Sequence, residues 1–216
     1  MRIVCISDTH LAEIPVPEGD ILIHAGDLTS VGELREVAKA LKWLSSLPHP
    51  HKVFIAGNHD FLFERHSGLA AGILPGNLTY LQDSGATIMG LKIWGSPWTP
   101  WFNDWAFNLE RKSERMRQFR EQIPHGLDVL ITHGPPHGIL DLIPDGRREG
   151  CGVLLERVAV VRPRLHVFGH IHHSHGTQLF ADTLFVNASI MDEQYDAVHK
   201  PIVVEMDPAT KEIIHA

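Results

Sequence analysis

Five short apolar runs constrain the fold of this chain most strongly. Each run ends in a small residue and is followed at once by a side chain that can bind a metal. The runs are residues 2–7 before Asp8, 21–26 before Asp27, 53–57 before Asn58, 129–132 before His133 and 166–169 before His170. Runs this short, rich in Val and Ile and closed by turn residues, are typical of buried strands. The pattern therefore predicts strands with polar side chains at their carboxyl ends.

Helical patterns lie between these runs. Ser30 followed by Glu33 fits a capping box at the start of a first helix, and Pro48 would stop that helix. Its apolar face would contain Leu34, Val37, Ala38, Leu41 and Leu44. Residues 110–123 and 153–161 predict two more helices. Strands that alternate with helices indicate an α/β architecture.

Shorter strand-like segments of a different kind occupy residues 78–94 and the C-terminal tail. They are residues 79–82, 87–89, 92–94, 178–180, 184–186 and 202–205. These segments indicate a second sheet packed on the first. We therefore expect two stacked mixed β-sheets flanked by helices, an α/β/β/α sandwich. A single domain is expected to span residues 1–216, because a chain of this length is within the size of one core.

Composition disfavours several classes of partner. Lys+Arg 19 against Asp+Glu 26 gives a formal charge of -7, which disfavours nucleic acid. The two cysteines, Cys5 and Cys151, indicate neither a disulfide framework nor a Cys-x-x-Cys zinc site. No run approaches the ~18 apolar residues of a membrane span, and the first residues lack a signal-peptide core. We expect a cytoplasmic protein with no membrane partner, and the oligomeric state stays open.

Seven side chains are candidate metal ligands, because ligands of open α/β sheets bind beyond the carboxyl ends of strands. His10 and His172 join the five residues that follow the apolar runs. The set is Asp8, His10, Asp27, Asn58, His133, His170 and His172. Imidazole, carboxylate and amide donors without a thiolate suit Mn, Fe, Zn or Co better than Mg, Ca or structural zinc. Seven ligands exceed the needs of one ion but serve two ions if one carboxylate bridges them.

Five sequence blocks, in this order along the chain, resemble the motifs of the calcineurin-like metallophosphoesterases. They are Asp8-Thr9-His10, Gly26-Asp27, Gly57-Asn58-His59-Asp60, Thr132-His133-Gly134 and Gly169-His170-Ile171-His172. Stretches around them, residues 56–60, 94–108, 131–136 and 162–172, resemble a metallophosphoesterase-domain-containing subgroup that is similar to class III cyclic-nucleotide phosphodiesterases. Protein Ser/Thr phosphatases extend the Gly-Asp block into Val-Asp-Arg-Gly. Here Leu28-Thr29-Ser30 follow Asp27, which disfavours protein phosphatase activity.

The resemblance implies a role for each candidate residue. Asp8, His10 and His172 would hold one divalent transition-metal ion. Asn58, His133 and His170 would hold the other, with Asp27 as the bridge. Mn is the ion favoured for activity, with Fe and Zn as alternatives, and a bridging hydroxide would attack phosphorus in line. His59 would stabilise the phosphoryl oxygens or protonate the leaving group, oriented by Asp60 or by a carboxylate of another loop.

An aromatic segment and two arginines are candidates for substrate binding. Four of the five Trp lie between residues 94 and 105, and Trp98 and Trp101 could form an aromatic wall or could be simple core packing. Arg147 and Arg148 could hold a phosphate oxygen or lie in an ordinary surface loop. His175, close to the last ligand block, could also reach the substrate.

The expected substrate is a small phosphodiester such as a cyclic nucleotide, with an aryl or nucleoside group against the wall. Two alternatives stay open. One is a phosphomonoesterase with the same site, and the other is a metal-binding interaction module with little turnover.

Overall fold

The computed structural model describes all 216 residues, and its first sheet has six strands from the two ends of the chain. In spatial order the strands are β14 (Ile213–His215), β13 (Ile202–Met206), β1 (Arg2–Ile6), β2 (Ile21–His24), β3 (His51–Phe54) and β4 (Thr79–Tyr80). Strands β1 to β4 run parallel, and β13 pairs antiparallel with β1. Three strands with candidate ligands therefore end at the same edge of this sheet.

The second sheet also has six strands. In spatial order they are β11 (Gly176–Phe180), β12 (Thr183–Asn187), β10 (Leu165–Phe168), β9 (Val129–Thr132), β6 (Leu91–Ser96) and β5 (Ser84–Ile88). The inner four run parallel, whereas β11 and β5 pair antiparallel at the two outer edges. Two further short strands, β7 (Thr99–Pro100) and β8 (Asn108–Leu109), pair only with each other.

Five α-helices and one 3-10 turn connect the strands. The helices are α1 (Leu34–Ser46), α2 (Phe61–Arg65), α3 (Ser67–Gly72), α4 (Glu114–Glu121) and α5 (Gly152–Val161), and the 3-10 turn is His172–Ser174. No helix is both long enough and apolar enough to cross a membrane.

Alternation along the strands explains why the sheets stack. Ile3 and Cys5 of β1 belong to a buried cluster of 19 residues drawn from the strands and strand ends of both sheets. Val4 and Ile6, on the opposite face of β1, pack in a second cluster that includes Leu41 and other residues of the helices. Successive side chains of a strand point to opposite faces, so each sheet buries one face against the other sheet. The predicted fold of two stacked mixed sheets flanked by helices is confirmed.

The division of strands between the sheets differs from the sequence prediction. The sequence predicts that residues 79–82 and 202–205 belong to the second sheet, but β4 and β13 pair with β3 and β1 of the first sheet. Strands β9 and β10 instead belong with the β5–β6 hairpin. Apolar patterning shows which residues are buried in a strand, but it does not specify the neighbour of that strand.

The start of α1 also differs from the prediction. The helix begins at Leu34, and Glu33 precedes it without a side-chain cap. The backbone amides of Val31 and Gly32 precede the helix and have no backbone acceptor. They donate hydrogen bonds to the carboxylate of Glu36 instead. The buried face contains Ala40 in place of the predicted Ala38.

Candidate metal centre

The seven predicted ligands meet where the carboxyl ends of the two sheets face each other. Asp8 follows β1 in the first sheet, whereas His172 follows β10 in the second. The His172 Nε2 and an Asp8 carboxylate oxygen are 3.5 Å apart. Asp8, His10 and His172 each offer a donor atom within 4.8 Å of the others. These three side chains form one candidate ion site.

A second cluster lies beside the first. Donor atoms of Asp27, His133 and His170 are all within 4.8 Å of one another. The Asn58 Oδ1 lies 2.8 Å from the His133 Nε2, so the amide reaches the same point. The Asp27 Oδ2 is 3.2 Å from His133 Nε2 and 3.9 Å from His10 Nε2. Asp27 therefore lies between the two clusters, as a bridging carboxylate must.

Backbone carbonyls orient three of the imidazole rings. The Nδ1 of His10 is 3.0 Å from the Thr29 carbonyl, that of His133 is 2.9 Å from Ala25, and that of His172 is 2.8 Å from Asp192. A carbonyl only accepts, so each Nδ1 carries a proton and each Nε2 is available toward the centre. The buried Nε2 of His10 has no hydrogen-bond partner. An orphaned imidazole nitrogen in this position suits a metal ion.

Burial and charge at the two carboxylates also suit cations. Asp8 and Asp27 are almost completely buried, and neither forms an ion pair with a Lys or Arg. Burial raises their pKa, but the charges of His172 beside Asp8 and of His133 beside Asp27 hold both pKa values below the usual range. Burial lowers the pKa of these two His, yet the same carboxylates raise it to about 9. Two buried carboxylates without a Lys or Arg partner therefore favour positive charge at this point.

The backbone at the centre is held in an uncommon conformation. Asp8, His10, Asp27 and His170 all have positive φ, between 42° and 69°. Residues other than Gly seldom adopt this left-handed region, and such residues cluster at functional sites. This conformation occurs at four of the seven candidate ligands.

Gly169 allows the closest approach in the centre. A Cβ at this position would lie 1.9 Å from the Asp8 Oδ2 and 2.2 Å from the Ser7 Oγ. The next amide, that of His170, donates to both Asp8 carboxylate oxygens at 3.1 and 3.0 Å. The carboxylate therefore rests against the Gly169 backbone, and no side chain fits between them.

Gly169→Ala is expected to displace the Asp8 carboxylate, lower the free energy of unfolding by about 1–3 kcal/mol through overpacking, and weaken metal binding. Thermal denaturation and elemental analysis would measure both effects. Gly68→Ala is the matched control, because nothing lies within 4 Å of a Cβ at Gly68 and that residue is helical. A Gly169→Ala protein with the stability and metal content of the control would contradict this interpretation.

His59 lies at the mouth of the centre and is 9% exposed. Its Nδ1 is 2.6 Å from the Ser30 carbonyl, so its Nε2 is the free nitrogen. The ring stacks on Trp105 with centroids 4.0 Å apart, and a donor atom of His59 lies within 4.8 Å of donor atoms of His10 and Asp27. The carbonyl and the indole ring together hold the imidazole beside the ligands.

Asp60 does not orient His59, contrary to one of the two possibilities drawn from the sequence. Its carboxylate is fully buried and accepts from the amides of Gly57, Leu28 and Thr29 and from the Thr29 hydroxyl. Burial and the charge of Asp27 raise its pKa to about 6. Asp60 instead ties the loop after β2 to the loop after β3. The orienting acceptor of His59 is the Ser30 carbonyl, and not a carboxylate of any loop.

The aromatic segment divides into buried and exposed residues. Trp98 is 7% exposed, donates its indole NH to Asp83 and stacks on Phe119, so it packs in the core and is excluded from the predicted wall. Trp101 and Phe102 are more than half exposed. With Pro100, Arg147 and His170 they line a cavity of about 310 Å³, which we call the aromatic cavity. This cavity reaches the candidate metal centre through His170.

The remaining predicted substrate residues lie outside the aromatic cavity. Arg148 donates to the buried Asp141 and lines a different cavity. The His175 Nδ1 is 2.9 Å from the Ser189 carbonyl and its ring stacks on His199. Neither contact brings these side chains to the ligands.

Tyr195 is a residue of the centre that the sequence analysis missed. Its ring lies 4.9 Å from the ring of His10 and 5.3 Å from that of His172, and the residue is half exposed. No motif flags Tyr195, because it comes from the loop between β12 and β13, far along the chain from the ligand blocks.

Comparisons with known proteins agree with this geometry. The family model described as calcineurin-like phosphoesterase matches residues 1–174. The human metallophosphoesterase domain-containing protein 1 is 44% identical over 231 residues, which cover 95% of this chain and 71% of the relative. A UPF0046 protein of Caenorhabditis elegans is 39% identical, with coverage of 95% and 81%. The crystal structure of TT1561 from Thermus thermophilus shares the fold, with a TM-score of 0.62, 13% identity and coverage of 98% and 96%.

Proposed function

The chain belongs to the calcineurin-like phosphoesterase family, whose members hydrolyse phosphate esters with divalent metal ions, and from that premise we propose that it hydrolyses small phosphodiesters, cyclic nucleotides among them. The observation that carries this proposal is the aromatic cavity, which shares His170 with the candidate metal centre. A phosphodiester bound there places its phosphorus at the ligands and one of its organic groups against Trp101.

The proposed ligand sets follow the two clusters. Asp8, His10 and His172 would hold one ion, Asn58, His133 and His170 would hold the other, and Asp27 would contribute to both. The mixed nitrogen and oxygen donors support Mn, Fe or Zn, and we propose Mn for activity in vitro. When bound, two such ions lower the pKa of a water molecule and neutralise charge on the phosphoryl oxygens.

His59 supplies a proton donor or a contact to a phosphoryl oxygen, which the proposed metal ligands do not supply. Its Nδ1 proton is held by the Ser30 carbonyl, so only its Nε2 can face a substrate oxygen. As an imidazolium, His59 donates a proton from Nε2 to the leaving alkoxide or holds a phosphoryl oxygen. Stacking on Trp105 keeps the ring in this orientation.

Charge and shape together favour a diester over a monoester. A diester carries one negative charge and an organic group on each side of phosphorus. A monoester carries up to two charges and a single organic group, and the net charge of -7 provides no long-range attraction for it. Stacking of a base on an aromatic ring contributes about 1–3 kcal/mol, so the aromatic cavity can select for a second organic group.

We expect a higher kcat/KM for aryl or nucleotide phosphodiesters than for the matching monoesters. Trp101→Ala should narrow this gap by about tenfold, chiefly through KM, because the exposed indole contacts the organic group and not phosphorus. Steady-state kinetics with matched nitrophenyl esters would measure the effect. Phe180→Ala is the control, since Phe180 is an exposed aromatic side chain that does not line the aromatic cavity.

Either alternative would give a distinct outcome in the same assay. A preference for the monoester would replace this proposal with a phosphomonoesterase that uses the same ligands. Metal binding without turnover of either ester would favour an interaction module. Unchanged kcat and KM in Trp101→Ala would mean that the indole only packs against the protein and does not contact the substrate.

A further inference from the structure

A second cavity, with a different chemical character, adjoins the aromatic cavity. It has a volume of about 610 Å³, and only one of its ten lining residues is hydrophobic. Its Lys and Arg lining residues are Arg111, Lys112, Arg117 and Arg148. We call it the basic cavity.

The two cavities share a wall. Arg111 and Glu149 line both of them. The Arg111 guanidinium pairs with the Glu149 carboxylate and also donates to the carbonyls of Glu149 and Gly150, each at 3.1 Å. These bonds hold the guanidinium at the boundary, so a ligand that extends beyond the aromatic cavity in this direction enters the basic cavity.

The basic cavity is a positive region on a protein of net negative charge. Four Lys or Arg line it against two Glu, and the balance stays positive when Asp141, the buried partner of Arg148, is included, whereas the whole chain has a formal charge of -7. Lys112 forms no ion pair, and the pair of Arg117 with Glu156 is exposed and long, at 3.4 Å. Such exposed pairs are weak, so an anion can displace the acidic partner. The lining therefore suits an anionic and strongly hydrated group.

We propose that the basic cavity binds a second phosphate of the substrate. His170 joins the metal centre to the aromatic cavity, and Arg111 and Glu149 join the aromatic cavity to the basic cavity, which gives an order of three sites. A phosphodiester at the metals, a nucleoside against Trp101 and a further phosphate monoester beyond it match that order. The proposal rests on the proposed phosphodiesterase function and names its substrate class, which is a nucleoside phosphodiester with an additional phosphate.

The test compares two substrates that differ only in that phosphate. They are the p-nitrophenyl ester of thymidine 5′-phosphate and the same compound with a 3′-phosphate. Cleavage of the diester releases nitrophenolate from both, so one assay measures both. We expect a KM roughly 3- to 30-fold lower for the 3′-phosphorylated compound, because a few exposed charge contacts each contribute modestly. The advantage should disappear at 1 M salt, where the Debye length is about 3 Å.

Variants assign the effect to the basic cavity. Lys112→Gln with Arg117→Gln should remove most of the preference for the 3′-phosphorylated compound and leave the kinetics of the other compound unchanged. Lys39→Gln with Lys42→Gln is the matched control, because it removes two positive charges from exposed positions of α1, outside the cavity. Equal KM values for the two compounds, or an equal loss in the control, would overturn the proposal.

A binding measurement separates this proposal from the proposed function. Calorimetry with the metal-loaded protein would compare thymidine 3′,5′-bisphosphate with thymidine 5′-phosphate, and it requires no turnover. Tighter binding of the bisphosphate that depends on Lys112 and Arg117 would support the basic cavity even if neither ester is cleaved. Cleavage of both esters together with equal binding of both nucleotides would refute the basic cavity and keep the phosphodiesterase.

Discussion

Asp27→Ala is expected to remove both metal ions and to lower turnover by roughly 10³-fold or more. Asp27 lies between the two clusters. One of its oxygens is 3.2 Å from the Nε2 of His133, in one cluster, and 3.9 Å from the Nε2 of His10, in the other. Its other oxygen accepts the amide proton of His59 at 2.7 Å. Loss of this carboxylate removes a ligand from two proposed ion sites and a support of the loop after β3. Each tenfold loss of rate corresponds to only about 1.4 kcal/mol of transition-state stabilisation.

Elemental analysis of metal-loaded protein would count the ions, and anomalous diffraction would locate them. Asn58→Ala is the matched comparison, because the Asn58 side chain is hydrogen-bonded to His133 and not to Asp8, His10 or His172. It should weaken mainly one ion. Asp27→Asn keeps the size of the side chain, so a loss of both ions in that variant as well would assign the effect to charge. Circular dichroism would establish that each variant is folded.

A different count of ions would contradict the two-ion site. Wild-type protein with a single ion, and with no metal density at His133 and His170, would leave the second cluster as a group of hydrogen-bonded side chains. Loss of only one ion in Asp27→Ala would show that Asp27 does not bridge.

The convergence of the seven candidate ligands could be predicted from the sequence because each one directly follows an apolar run or lies within two residues of such a position. Parallel strands place their carboxyl ends at one edge, so Asp8, Asp27 and Asn58 had to be close to one another. The approach of His133 and His170 to them depends on how the second sheet stacks on the first. That stacking depends on packing between the two buried faces, and no local pattern describes it.

Backbone acceptors and core contacts could not be predicted in the same way. The Ser30 carbonyl orients His59, but every residue has a carbonyl, so the sequence carries no sign of this role. From the sequence, the Asp60 carboxylate could accept hydrogen bonds either from His59 or from the loop amides. Because the carboxylate is buried, it needs several donors, and three backbone amides and the Thr29 hydroxyl provide them. Trp98 and Trp101 are three residues apart, yet only the structure distinguishes the buried indole from the exposed one.

His59→Ala should retain both ions and lower turnover by about 10² to 10⁴ for an alkyl leaving group, the range expected for loss of a general acid. Metal content is an informative control here, since a donor atom of His59 lies within 4.8 Å of those of His10 and Asp27 and could itself reach an ion. His125→Ala, which removes an exposed imidazole from a loop, should leave both metal content and turnover unchanged. Loss of an ion from His59→Ala would make His59 a ligand instead of a proton donor.

The dependence on the leaving group separates the two roles proposed for His59. An alkoxide needs a proton as it departs, whereas nitrophenolate is stable without one. If the His59 Nε2 donates that proton, the loss in His59→Ala should therefore be large for alkyl esters and small for nitrophenyl esters of the same diester series. If His59 only stabilises charge on the phosphoryl oxygens, both series lose activity equally, because those oxygens are common to all the substrates. Equal losses would thus rule out proton donation, and the orientation imposed by Ser30 and Trp105 would then serve only to hold a positive charge near phosphorus.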